Sequence, residues 1–445
     1  MTGTVTGHDR RRTVPAATTL AGVALLAGAC GSFGDVAVTH TDRIPAATAT
    51  APEPAAPPQP RGVTDEDGVQ AVLDNVAAAF RAGSPDDLRP YLHDPASAFG
   101  AAWLERATNM AGLPLADYQL RLDTSLPDLA TDRIRTAHEG ARVQVLYVQE
   151  LLSLADFDDA PAVEDLFLTL VDGGDGWKVA TDRDAERLGF VSVDHLWDHG
   201  PVTTTVDGPI MALHHPDGPD PGRLLEEARA ALVQADARWP LDWPQRVPIV
   251  IPRDEEELGE LLHVTFDLSN FVAFATATSS GDVGEYELTG SRIVINPDRL
   301  LDRSTEIRQR ILVHELVHVA TRPVAGPLQP SWLEEGVAQA LGEQRSTTGT
   351  GLVDAITSGA LDLPTDGEFT VGGRDRVYLS YQLAWSFVDH LVARFGADAV
   401  GSFYATVGQS SIGNPGTEAY HLDHGAREVF GLSMDELVAS WQQSR

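Results

Sequence analysis

Cysteine and lysine are almost missing from this chain: 445 residues hold one of each, Cys30 and Lys178. A single cysteine excludes an intrachain disulfide, a Cys-rich zinc site and iron–sulfur ligation. Positive charge is scarce as well, with 32 Lys+Arg against 65 Asp+Glu and a formal net charge of −33. Phosphate backbones and anionic lipid surfaces repel such a chain, so nucleic acid is not expected as a partner. Past Cys30 no run approaches 18 uninterrupted apolar residues, which argues against a polytopic membrane protein. Phosphate-cradling glycine loops and the G-x-S-x-G elbow are also missing. Core material is plentiful: 43% of residues are hydrophobic and 22% charged. At roughly 150 residues per domain, the length argues for two or three domains.

The lone cysteine closes a targeting segment. Arg10, Arg11 and Arg12 precede the uncharged run Thr13–Ala29, too short to span a bilayer and suited to a secretory signal. The run ends in Leu26-Ala27-Gly28-Ala29-Cys30, which resembles a bacterial lipobox. That resemblance implies a signal peptide over 1–29, lipidation of Cys30, and a protein anchored to the membrane outside the cytoplasm. Ala27 stands where the lipobox usually has leucine, with Leu26 one place earlier. From Pro45 to Pro60 six of sixteen residues are proline, so residues 30–63 read as a disordered Pro/Ala/Thr-rich tether reaching roughly 100 Å when extended.

Folding signals begin at Thr64. Val69, Val72, Leu73, Val76 and Phe80 share one helical face, Gly83 supplies a stop, and Ser84-Pro85-Asp86-Asp87 opens a further helix. Strands are expected over 118–122, 143–148 and 166–171, the last turning through Gly173-Gly174-Asp175-Gly176 into 177–180. Helices followed by long antiparallel strands that close on Gly-Trp-Lys-Val-Ala resemble the NTF2-like (SnoaL-like) cone fold over 64–190. Beyond residue 200 the spacing predicts a helix at 224–238, strands at 246–251 and 292–296, and mostly helix from Thr305 to a last helix at 434–443. The expected fold class is α+β: the cone, then a mostly helical domain with a small sheet over 200–445.

The chemistry lies in His314-Glu315-Leu316-Val317-His318, an H-E-x-x-H motif. Asp302 or Ser304 caps its helix, Ile307, Ile311, Leu312, Val313 and Val317 surround the motif, and Pro323 ends it. On a helix the two histidines lie one turn apart on one face, where two imidazoles converge on a tetrahedral zinc. A third ligand is sought in Ser331-Trp332-Leu333-Glu334-Glu335-Gly336-Val337-Ala338. Ser331 and Glu334 fit a capping box, which leaves Glu335 as the ligand in preference to Glu334.

H-E-x-x-H followed by Trp-Leu-x-Glu-Gly-x-Ala resembles the gluzincin metallopeptidases, in particular the peptidase MA-like family, over roughly 200–445. The resemblance implies one zinc per chain held by His314, His318 and Glu335, with Glu315 as general base in hydrolysis of a peptide or protein substrate. It also implies an edge strand at Ile293-Val294-Ile295-Asn296 before the motif helix. A tyrosine that hydrogen-bonds the oxyanion is implied too, placed at Tyr381, which is expected to open a helix over 381–395, with Tyr378 as its rival. Two departures stand out. Sixteen residues separate His318 from Glu335 where aminopeptidase-type relatives have eighteen, and Gln339 occupies the position of an aspartate that orients histidine in thermolysin-like enzymes. The alternative function is an inactive zinc-binding scaffold, or an envelope protein acting through its NTF2-like domain. His195-Leu196-Trp197-Asp198-His199 reads as structural, His421 and His424 as loop, His214-His215 as the approach to a turn, and 254–257 as the solvated start of a helix.

Overall fold

The computed structural model describes residues 62–138, 140–263, 268, 271–280, 286–342, 350–369, 373–414 and 416–445. The expected signal segment, Cys30 and nearly all of the tether lie outside the described residues. The architecture is α+β with two sheets. Among the described residues no helix is long and apolar enough to cross a membrane.

Helices α1 (Glu66–Ala82), α2 (Pro85–Leu88) and α3 (Ala98–Asn109) precede strand β1 (Leu115–Leu122). Val69, Leu73, Val76 and Phe80 of α1 are buried, one stripe at helical spacing. Gly83 ends α1 at φ 62°, and a Cβ there would fall 2.7 Å from that of Ala111, so both the backbone and the packing require glycine. A short α4 (Asp132–Ala137) leads to β2 (Arg142–Leu154), β3 (Ala162–Asp172) and β4 (Trp177–Thr181), an antiparallel sheet in sequential order. β2 and β3 are far longer than their expected cores of 143–148 and 166–171. Both faces are covered, Leu146 and Val148 by the main core and Val145 and Tyr147 by a smaller cluster with Phe167, so alternation does not mark their ends.

The second sheet runs β5 (Thr203–Asp207), β6 (Ile210–His214), β7 (Val247–Ile251), β9 (Glu287–Ile295), β8 (Ala273–Ser280), with α5 (Gly222–Asp236) crossing from β6 to β7 and α6 (Glu255–Leu261) following β7. β6, β7 and β9 are parallel, and the outer strands β5 and β8 are antiparallel to their neighbours. The expected edge strand at 293–295 is therefore interior. β8 is the edge, and its Ala-Thr alternation is too weakly apolar to read as a strand in the sequence. Ile210, Ala212, Ile249, Ala275 and Ile293 face the helical core, whereas Met211 and Leu213 belong to the core of the N-terminal unit. The sheet is thus a shared wall. After α7 (Pro297–Leu300) come α8 (Thr305–Thr321), α9 (Ser331–Gly342), α10 (Thr350–Ser358), α11 (Arg374–Phe395), α12 (Ala397–Ser411), α13 (Glu418–Phe430) and α14 (Met434–Gln443). His421 and His424 lie in α13, not in a loop; Thr417 caps that helix, and a buried His421 meets Ser410 Oγ at 3.0 Å.

Candidate metal centre

Of the two expected caps, Ser304 starts α8, its hydroxyl accepting from the Ile307 amide at 3.4 Å. Pro323, in the 3-10 turn that follows, ends it. Arg308 grips Glu227 of α5 through two bonds of 2.6 Å, fixing the rotation of α8 about its axis. From Ile311 to Arg322 every residue of this stretch is buried, so the motif histidines have no water of their own to satisfy them.

α9 brings the third group. His314 Nε2 and His318 Nε2 are 3.2 Å apart, and Glu335 Oε2 lies 3.4 Å from the first and 3.5 Å from the second. Ligands about 2.0–2.1 Å from a tetrahedral ion stand about 3.3–3.4 Å from each other, so these distances are the edges of such a coordination face. Among the described residues this is the group of His, Cys, Asp and Glu able to hold a metal. Burial pushes the Glu335 carboxyl up, but His318 and His314 outweigh it and hold the group below its ordinary range. Burial pushes His318 down, toward the neutral imidazole a metal requires. The donor set and its protonation therefore fit a divalent ion.

Glycine allows this approach. A Cβ at Gly336 would sit 2.6 Å from Val388 Cγ2 and 2.8 Å from the Ala384 carbonyl oxygen, so α9 and α11 meet at the residue after Glu335. At Gly342 it would sit 3.0 Å from the Cα of His314, where the end of α9 touches α8.

Glu315 is fully buried; no side chain hydrogen-bonds its carboxyl group, and the backbone of Ala275 in β8 approaches it as a weak donor. Burial pushes its pKa up to about 8; the charge of Glu335 adds to this, and His314 opposes it. A carboxyl group buried with so little hydrogen bonding is costly, and in a native protein such a group points to function.

Two expectations need correction. Ser331 is the first residue of α9 rather than its cap, and Glu334 does not turn back to the helix start. Its amide instead bonds the Pro330 carbonyl at 3.2 Å. Glu334 is buried, with its pKa pushed up to about 8 by burial against the nearby charge of Arg322. Tyr381 does not open a helix: α11 starts at Arg374, and Tyr381 packs edge-on to Phe369 at 5.1 Å, with Tyr378 one turn earlier bonded to Gln382. Arg322 escaped the sequence reading. It is buried one turn past His318, and its Nη2 donates to the Ala275 carbonyl of β8 at 3.0 Å. The only signal was its place at i+4 from His318. The start of α6 is less solvated than expected, since Glu257 is buried and accepts from His215 at 2.7 Å. His195 caps a short 3-10 turn and pairs with Glu150. Compared with protein-family models and with curated proteins, the chain matches none.

Proposed function

We propose that the protein is a zinc-dependent peptidase of gluzincin type, its catalytic domain following an NTF2-like cone and its lipidated Cys30 holding it outside the cytoplasm. One observation carries the reading: three donor atoms at tetrahedral spacing beside a buried Glu315 that no side chain hydrogen-bonds. His314, His318 and Glu335 would hold the ion, which when bound supplies Lewis-acid chemistry for hydrolysis. Glu315 takes a proton from the attacking water and returns it to the leaving amine. Tyr381 donates to the developing oxyanion, and the dry surroundings strengthen every such bond.

The depth of the site favours a second reading, a metal-holding scaffold without turnover, because His314, Glu315, His318 and Glu335 are all at most 4% exposed. One experiment separates the two. Glu315→Gln should retain about one zinc per chain yet lose peptide hydrolysis by about 10²–10⁴-fold. Glu335→Gln should release the metal while Glu334→Gln keeps it. Equal turnover in wild type and Glu315→Gln would remove the enzymatic reading, and equal metal content in all three proteins would remove the site.

A further inference from the structure

The two sheets leave a cavity of about 130 Å³ at the seam between the N-terminal unit and the back of the second sheet. Leu152 and Leu154 of β2, Leu213 of β6, Val250 of β7 and Val294 of β9 form much of its wall. The seam around it is firmly pinned. The Val163 amide donates to Thr278 Oγ1 at 2.9 Å, Thr289 Oγ1 donates to the Pro161 carbonyl at 2.7 Å, and both Nη atoms of Arg292 reach Asp158 at 2.6 Å. At Gly290, φ is 59° and a Cβ would sit 2.3 Å from that of Ala162, so the strands approach as closely as backbone allows.

One carboxyl in this cavity lacks a hydrogen-bonded partner of its own. The antiparallel register places Glu164 of β3 directly opposite Glu150 of β2, and cross-strand neighbours share a face. Glu150 is served by Arg106 at 2.6 Å and His195 at 3.2 Å. Glu164 lines the cavity and makes no side-chain hydrogen bond or ion pair among the described residues. The other titratable groups of the wall are engaged: Arg292 by Asp158, Asp194 by Arg183, and His195, which also attracts Glu164 from a distance, by Glu150. Of two acidic groups side by side, Glu150 holds both nearby cations within hydrogen-bond reach and Glu164 holds neither, which leaves a position for a cation against Glu164.

We propose that this cavity binds a small organic amine, its ammonium on Glu164 and its apolar body among Leu152, Leu154, Leu213 and Val250. The size fits: an apolar cavity of about 150 Å³ accepts one benzene ring. Burial raises the proton affinity of Glu164, bringing its pKa to about 7, the expected state of a carboxyl waiting for a positive partner. Thr276 of β8 lines the cavity, whereas its neighbour Ala275 faces the helical core and gives its carbonyl to Arg322. The amine site and the metal triad therefore lie on opposite faces of one edge strand.

Benzylamine, benzyl alcohol and phenylacetate are titrated calorimetrically into the protein. The expected result is saturable binding of benzylamine, at least about tenfold tighter than the isosteric alcohol, and none of the anion. Glu164→Gln should lose that preference while its near-ultraviolet circular dichroism and metal content stay unchanged. The proposal is overturned if benzyl alcohol binds as tightly as benzylamine, if no saturable binding occurs, or if a folded Glu164→Gln protein still prefers the amine. The comparison of ligands on wild type stands even if the variant fails to fold, and none of these readouts depends on peptidase activity.

Discussion

Arg106 and Glu150 are a fully desolvated ion pair with a 2.6 Å bond, backed by Asp198 at 3.2 Å and Tyr118 at 3.3 Å. Burial alone would raise the Glu150 carboxyl, but Arg106 and His195 outweigh it and bring its pKa to about 2. A depressed acid stabilises the fold above its unfolded value, and that contribution is lost as pH falls through the folded one. The window here runs from about 4.5 down to about 2. Glu150→Gln should flatten the stability profile across this window. At neutral pH it should cost up to about 3–5 kcal/mol, because it leaves a buried guanidinium with Asp198 as its one remaining carboxylate. Urea unfolding of both proteins at a series of pH values measures each effect. A parallel acid limb in the variant would show that other carboxylates control acid unfolding.

At the level of elements, glycine governs how closely α9 approaches its neighbours. Gly336→Ala must push α9 away from α11, because Val388 and the Ala384 carbonyl stand inside contact distance of the new methyl. Overpacking of this kind costs about 1–3 kcal/mol, and here it also moves the neighbouring ligand Glu335. The expected variant melts lower and binds zinc more weakly, measured by thermal denaturation and chelator competition. A lower melting point with unchanged metal affinity would mean that Glu335 is positioned from elsewhere. This coupling explains how much of the centre was legible. The histidines read directly because one helical turn fixes their relation, whereas the preference for Glu335 rests on assigning Glu334 to a capping box that α9 does not form. The route of α9 did not read, since Ser331 and Glu334 satisfy a local capping pattern that the buried approach of the helix overrides. β8 stayed hidden for a related reason. Its small residues, Ala273, Ala275 and Ala277, are buried by neighbours distant in sequence and carry little apolar signal of their own. Arg322 has meaning only once β8 lies over α8.

At the level of the whole molecule, the sheet shared between the two units sets what can be separated. Met211 and Leu213 are 2% and 3% exposed because the N-terminal unit covers them, while their neighbours Ile210 and Ala212 face the helices. Hydrophobic faces of this kind add about 25 cal/mol for each Å² removed from water, so the seam contributes to the stability of both sides. Polar pins cross it as well, among them Val163–Thr278, Thr289–Pro161 and Arg292–Asp158. Unfolding of residues 62–445 should therefore appear as one calorimetric transition. A fragment of residues 200–445 should melt at lower temperature and bind a hydrophobic dye through the uncovered face. Asp158→Asn in the longer protein should lower its melting temperature by several degrees, since it leaves the largely buried Arg292 without its carboxylate. If the fragment melted at the temperature of the whole, the seam would contribute nothing. The metal centre would then be stabilised within the helical core alone, with β8 held in place by β9 and by Arg322.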